Sequence, residues 1–159
     1  MPATSDEPAL ELRAAVQRFV RSFGLLAGDQ TPCGEPLAPS HAHALMLLFE
    51  AGHTGQRLSQ QALASALGID KSTVARLCAK MERAGHVDQQ RPVVDERARL
   101  VGLTAKGKRV AERVESASRA RFRDVLAAMP SAHDCHSLIV AIQRLNEAIT
   151  IVSRSQNNA

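Results

Sequence analysis

The stretch "LSQQALASALGIDKSTVARLCAKMERAG", residues 58–85, holds two helical periods separated by a single glycine. Ser59 and Asp70 stand where helix N-caps stand, and Gly68 and Gly85 stand where helices stop. In the second period Val74, Leu77, Cys78 and Met81 recur at i, i+3, i+4 and i+7, so they form one apolar stripe. Cys78 belongs to that stripe and reads as a small buried hydrophobe. The remaining surface carries Lys71, Ser72, Thr73, Arg76, Lys80 and Arg83, with Glu82 the only carboxylate after Asp70. Exposed helices usually pair Lys and Arg with acids one turn away. Here that pairing is mostly missing, which points to an anionic partner.

The charge of the whole chain sharpens this. Its 159 residues carry a formal charge of +4, and its pI is about 9.4. Between Asp70 and Arg109 ten basic residues face five acidic ones, a local excess of +5 that leaves −1 for the rest. The positive charge is local. With 45% hydrophobic residues the chain can bury a core, as one domain or one domain with a dimerising extension. The opening "MPATSDEPALELRAAVQ" has neither a basic n-region nor an apolar h-region, and no apolar run reaches membrane-spanning length. Cys33, Cys78 and Cys135 form no even framework and no CxxC pair, so a reduced, cytoplasmic protein is expected. GxSxG, P-loop, HExxH and Gly-rich dinucleotide motifs are all absent, so neither an enzyme nor a cofactor is expected.

Elsewhere the chain reads mostly as helix. Leu12, Val16, Phe19, Val20 and Phe23 mark a first apolar stripe, ending near Gly24 to Gly28. "GDQTPCGEPLAPS" is a loop by its Pro and Gly content. Ser40 is read as the cap of a second helix with Ala44, Leu45, Leu48 and Phe49 on its apolar face, ending at Gly52. After Gly85, "HVDQQRP" and "RARLVGLT" predict a two-stranded hairpin around "VVDER". Thr104 caps a long helix to about Met129, and Pro130 and Ser131 break and restart the chain. The last helix has Cys135, Leu138, Ile139, Ile142, Leu145, Ile149 and Val152 near a heptad seam, followed by a frayed "SRSQNNA".

Two short helices joined at Gly68 need close contact where they cross, and Ala64 is small there. Ala64, Gly68, Val74 and Leu77 have helix-turn-helix spacing, and the hairpin supplies a wing. From Leu58 onward the chain resembles the MarR family of bacterial winged helix-turn-helix regulators. The matching features are the Leu58-Ser59 opening, "ALGIDKSTVAR", "MERAGHV", the D-x-R wing at Asp95 and Arg97, and "LTAKG" at 103–107. They cover roughly residues 56 to 110.

The resemblance implies a mainly α fold with a small β-hairpin wing and terminal dimerisation helices. Its divisions would be 8–54 (N-terminal helices), 55–104 (winged DNA-binding lobe) and 105–154 (linking and C-terminal dimerisation helices). It also implies a homodimeric repressor on double-stranded DNA, not at a membrane, released by a small-molecule effector. Carried over, Ser72, Thr73 and Arg76 match recognition-helix contacts. Arg97 matches the minor-groove wing arginine and Asp95 the acid that holds it; a solvated hairpin tip is the structural alternative. Lys71 is counted with the DNA-binding residues, and Lys80, Arg83 and Arg99 divide between phosphate contact and solubility.

What such a regulator would sense stays open at this level. Arg13, His41 and His43 are candidate partners for an anionic ligand in a cleft, with Arg18 and Arg21 as further options. Cys33 and His43 correspond to metal ligands in a zinc-sensing branch of the family, but the His pair that branch uses after the wing is missing here. Cys33 reads first as a loop cysteine packed at the dimer interface, with a redox site as the lesser alternative. A dimeric interaction module without DNA binding is the remaining alternative; it explains the terminal seam but not the local basic face.

Overall fold

The computed structural model describes residues 6–26, 28–91 and 98–157. Among these, six helices and three short strands follow the order α1 (Glu7–Phe23), α2 (Pro39–Gly52), β1 (Leu58–Ser59), α3 (Gln60–Leu67), α4 (Lys71–Arg83), β2 (Val87–Gln90), β3 (Leu100–Leu103), α5 (Ala105–Ala127) and α6 (Ala132–Asn157). The chain divides into two compact units, Met1–Ser118 and Arg119–Ala159.

The first unit is built around the opening motif. Ser59 Oγ accepts from the Ala62 amide at 3.0 Å and starts α3, while Gly68, at φ +65°, ends it in the left-handed region that favours glycine. Asp70 starts α4 through the Ser72 and Thr73 amides. At the far end the His86 amide bonds back to the Met81 carbonyl at 2.9 Å, past Gly85 at φ +73°. The stripe Val74, Leu77, Cys78 and Met81 is buried as its spacing predicts. Burying each large member stabilises the fold by roughly 1.5–3 kcal/mol. These side chains join Leu45 and Leu48 of α2, Leu63 of α3, Val87, Val101, and Val110 and Val114 of α5 in one core.

The predicted hairpin is two strands of a three-stranded antiparallel sheet, order β1-β3-β2. β1 is the addition: Leu58 pairs with Val101 and Ser59 with Leu100. A two-residue strand has no period to read, so its pairing is tertiary information. The β2–β3 register runs from Val87–Leu103 to Gln90–Leu100. Thr104 joins this sheet to α5: its hydroxyl donates to the Gly85 carbonyl at 2.6 Å and accepts from the Gly107 amide at 3.0 Å. Gly107 has no room for a side chain, since a Cβ there would lie 1.8 Å from the His86 carbonyl oxygen.

Two local expectations are corrected. Ser40 does not cap α2; Ala38 occupies the cap position with Pro39 next, and no side chain bonds the first turn. Proline needs no cap for its missing N–H and its φ already suits a first turn. The tail is helical through Asn157 rather than frayed from Ser153.

The second unit holds the end of α5 and all of α6. Ser131 accepts from the Asp134 amide at 3.1 Å and donates to its carboxylate at 2.6 Å, which starts α6. Along α6, Leu138, Ile139, Ile142, Ile149, Ile151 and Val152 are exposed.

Candidate nucleic-acid interface

The start of α4 carries a dense polar network. Asp70 Oδ1 accepts from the Ser72 amide at 2.8 Å, the Ser72 hydroxyl at 2.5 Å and the Thr73 amide at 2.9 Å. Its Oδ2 accepts from the Thr73 hydroxyl at 2.6 Å. The Ser72 and Thr73 hydroxyls, then the Thr73 amide, hold this carboxyl well below the usual carboxylate range. Arg76 Nη2 donates to Thr73 Oγ1 at 3.3 Å, so Arg76 is tied to the same network instead of standing alone as its sequence context suggested. Ser72, Thr73 and Arg76 are therefore brought together on one patch, with exposed Lys71 beside them.

Farther along, Lys80 and Arg83 are exposed. Glu82, the one acid of the helix interior, accepts from Gln89 Nε2 at 3.0 Å, and Gln89 Oε1 accepts from Gln60 Nε2 at 2.6 Å. This amide relay links α3, β2 and α4 and turns the carboxylate toward the sheet. Lys106 Nζ donates to the Ala84 carbonyl at 2.7 Å, placing a cation at the C-terminal end of α4 where the helix dipole is negative.

A second clamp crosses the sheet. Extending the β1–β3 register sets Arg57 opposite Gly102, and Gly102 pairs with Asp88 on the other side. Arg57 spans the space that glycine leaves and meets Asp88 Oδ2 at 2.6 Å. A Cβ at Gly102 would lie 2.7 Å from the guanidinium carbon. The root of the wing is thus fastened across all three strands. Of the wing residues, Arg99 is exposed just before β3, while Asp95 and Arg97 lie outside the described residues. Arg57, Gln60, Gln89 and the polar role of Asp70 were not singled out as site residues from sequence. The one legible signal was Asp70 two and three residues before a Ser-Thr pair.

The cleft candidates do not form one group. Arg13 and His43 are exposed, but His41 is buried and its Nε2 lies 2.9 Å from Nδ1 of buried His86. Burial first, then the neighbouring His86 and Lys80, lower His41 from 6.5 to about 4. His86 is lowered too, by burial and then by Lys106 and Arg113. Both rings are held neutral, so one nitrogen can donate and the other accept. Cys33 is half-buried with Sγ 3.1 Å from Thr31 Oγ1, and Glu35 beside it faces Arg113 at 3.7 Å. Among the described residues no group of three or more His, Cys, Asp or Glu side chains is arranged to hold a metal ion. Among them, too, no helix is long and apolar enough to cross a membrane.

A helix-turn-helix followed by a clamped hairpin, with a basic second helix, defines a winged helix protein of the transcription-regulator class. The sequence profile of the MarR family matches residues 36–98. YdgJ, an uncharacterized HTH-type transcriptional regulator of Bacillus subtilis (strain 168), is 31% identical over 115 residues, which span 71% of this chain and 66% of the relative. A probable transcriptional regulator from Pseudomonas aeruginosa is 26% identical, with a TM-score of 0.65 over 90% of this chain and 99% of that one. The S. aureus MepR–DNA complex shares the fold at a TM-score of 0.64 and 17% identity, covering 92% of this chain and 99% of that one. The chain belongs to the MarR family: it is a transcriptional regulator, not an enzyme.

Proposed function

We propose that this regulator is a repressor that binds a pseudo-palindromic operator as a homodimer and leaves it on binding a small ligand. The observation that carries the DNA reading is the exposed face of α4, where Lys71, Arg76, Lys80 and Arg83 lie with the helix's one interior acid drawn off to Gln89. Lys and Arg supply phosphate neutralisation, and Arg76 with Ser72 and Thr73 supplies base contacts. Lys80 and Arg99 are assigned to phosphates, and Arg97, aimed by Asp95, to the minor groove. The exposed apolar residues of α1 and α6 support a second copy as partner. Two recognition helices would then read half-sites about 34–36 Å apart. Exposed Arg13 and His43 remain for an anionic effector; His41 is committed to His86.

The test is a mobility shift on duplex DNA from the region flanking the protein's own gene, with wild type and Arg76→Ala. Arg76→Ala should cost about 1–3 kcal/mol on the preferred sequence and less on random DNA. Arg97→Ala should make log affinity against log salt shallower by about 0.9 per lost phosphate contact. No binding by wild type, even at low salt, would leave the interaction-module reading. A reporter silenced by the protein and restored by an aromatic acid would support repression and release; activation would overturn the repressor assignment.

A further inference from the structure

A hydroxyl has one proton to donate and two lone pairs with which to accept. In α4 both hydroxyl protons of the first turn are already committed. Ser72 donates to Asp70 Oδ1 and Thr73 donates to Asp70 Oδ2, while the two amides of the same turn also end on Asp70. These bonds run to a charged acceptor, which makes them roughly twice as strong as neutral ones. A bare helix N-terminus attracts phosphate through its free N–H groups. This one has its Ser72 and Thr73 N–H groups occupied and a carboxylate in front of them. A phosphate oxygen, which can only accept, finds the Ser72 and Thr73 donors already occupied.

What remains on these hydroxyls is accepting capacity: two lone pairs on Ser72, and one on Thr73, whose other accepts from Arg76. In the major groove the groups that can donate to them are the exocyclic amines, N6 of adenine and N4 of cytosine. Guanine O6 and N7 and thymine O4 only accept, so they do not suit these hydroxyls. Arg76 has the opposite polarity: one N–H goes to Thr73 Oγ1, and the others need acceptors, which guanine offers in a pair. Resting on the DNA-binding reading above, we propose that Asp70 is a positioning residue for sequence readout. It fixes Ser72 and Thr73 as hydrogen-bond acceptors, so that each half-site presents an adenine or cytosine amine to them next to a group accepting from Arg76.

The experiment starts from enrichment of a randomised duplex pool by the full-length wild-type protein. In the enriched duplex each adenine is then replaced by purine, or cytosine by 2-pyrimidinone, which removes the amine alone. At one or two positions per half-site, wild-type affinity should fall roughly 2- to 10-fold, the size of one hydrogen bond. The same replacement should have no effect in Ser72→Ala or Thr73→Ala, whichever loses the contact. Asp70→Asn provides the second arm, because Asn caps helices as well as Asp and the fold should keep its Tm. Its Nδ2 donates where an oxygen accepted, so one hydroxyl turns its proton outward. Enrichment by this variant should move toward guanine or thymine at the matching position. If Asp70→Asn does not fold, the amine-deletion cycles with the two Ala variants decide alone. Wild-type indifference to every amine deletion overturns the proposal, as does an Asp70→Asn chain that binds all sequences more tightly with unchanged preference. A wild type that enriches no sequence at all overturns the DNA-binding reading, and the proposal with it.

Discussion

The core elements of the first unit, α2 to the start of α5, and the helix α6 contain apolar residues in comparable patterns but treat them differently; α1 of the first unit behaves like α6. In the first, Leu45, Leu63, Val74, Met81 and Val101 are fully buried because α2, α3, α4, the sheet and the start of α5 supply each other's missing layer. In the second, Leu138, Ile139, Ile142, Ile149, Ile151 and Val152 of α6 are between 38% and 65% exposed, and Val140 and Leu145 are half-buried. A helix buries one stripe only when another surface comes to it. The first unit closes its core from within one chain. The apolar face of α6 stays exposed in the single chain, and that exposure is what supports the proposed dimer.

The largest effect should come from forcing open the first unit where it is tightest. Gly107→Ala drives a Cβ into the His86 carbonyl, backbone against backbone, with neither side free to rotate away. Urea unfolding should show a loss of about 3 kcal/mol or more. An unchanged midpoint would show that the α5–β2 junction is looser than its geometry.

Acid tests the same region through its buried histidines. His41 titrates near 6.5 when unfolded and about 4 when folded, so between those values only the unfolded chain binds the proton. Stability should be full above pH 6.5, fall as pH drops toward 4 by up to roughly 3 kcal/mol, and level off below. His86, shifted the same way, adds in the same direction. In His41→Gln most of the slope should vanish; a flat wild-type profile across that window would remove the pair from the account.

Helix starts give a smaller, paired contrast. Ser59→Ala should cost about 1 kcal/mol, since Ser59 bonds the first turn of α3. Ser40→Ala should stay within about 0.5 kcal/mol, because Pro39 and not Ser40 begins α2. Equal costs would mean that the two serines act alike.

Ile142→Glu should change the first unit least and the assembly most. Amide exchange at Leu63 and Val74 should shift by less than about 0.5 kcal/mol, as for a surface change away from the core. Sedimentation should nonetheless report a monomer, against the dimer proposed for wild type. A dimer that survives Ile142→Glu and Ile149→Glu together would break the comparison, by showing that α6 is not the face a second copy covers.

Much of this protein is local, and local features are readable in sequence. Caps at Ser59, Asp70, Thr104 and Ser131, the stops at Gly68 and Gly85, and the stripe through Cys78 all follow from residues within a turn or two of one another. The position of the basic face follows too, because the apolar stripe fixes which side of α4 is left over. Ser40 misled because a serine before an apolar period has the signature of a cap, while the proline ahead of it already met the need.

What lay beyond the sequence joins residues far apart in the chain. His41 and His86 meet across 45 positions, Arg57 and Asp88 across 31, and Gln60 and Gln89 across 29. No periodicity links such pairs; each exists because packing of the core sets two backbones at one spacing and no other. Gly102 and Gly107 are the clearest cases. As letters they are ordinary glycines in a strand and a helix, and only the folded chain shows one making way for a guanidinium and the other for a carbonyl. The polarity of Ser72 and Thr73 lies between the two kinds. Asp70, two residues away, makes it possible, and the geometry of the capped turn decides that both protons point inward.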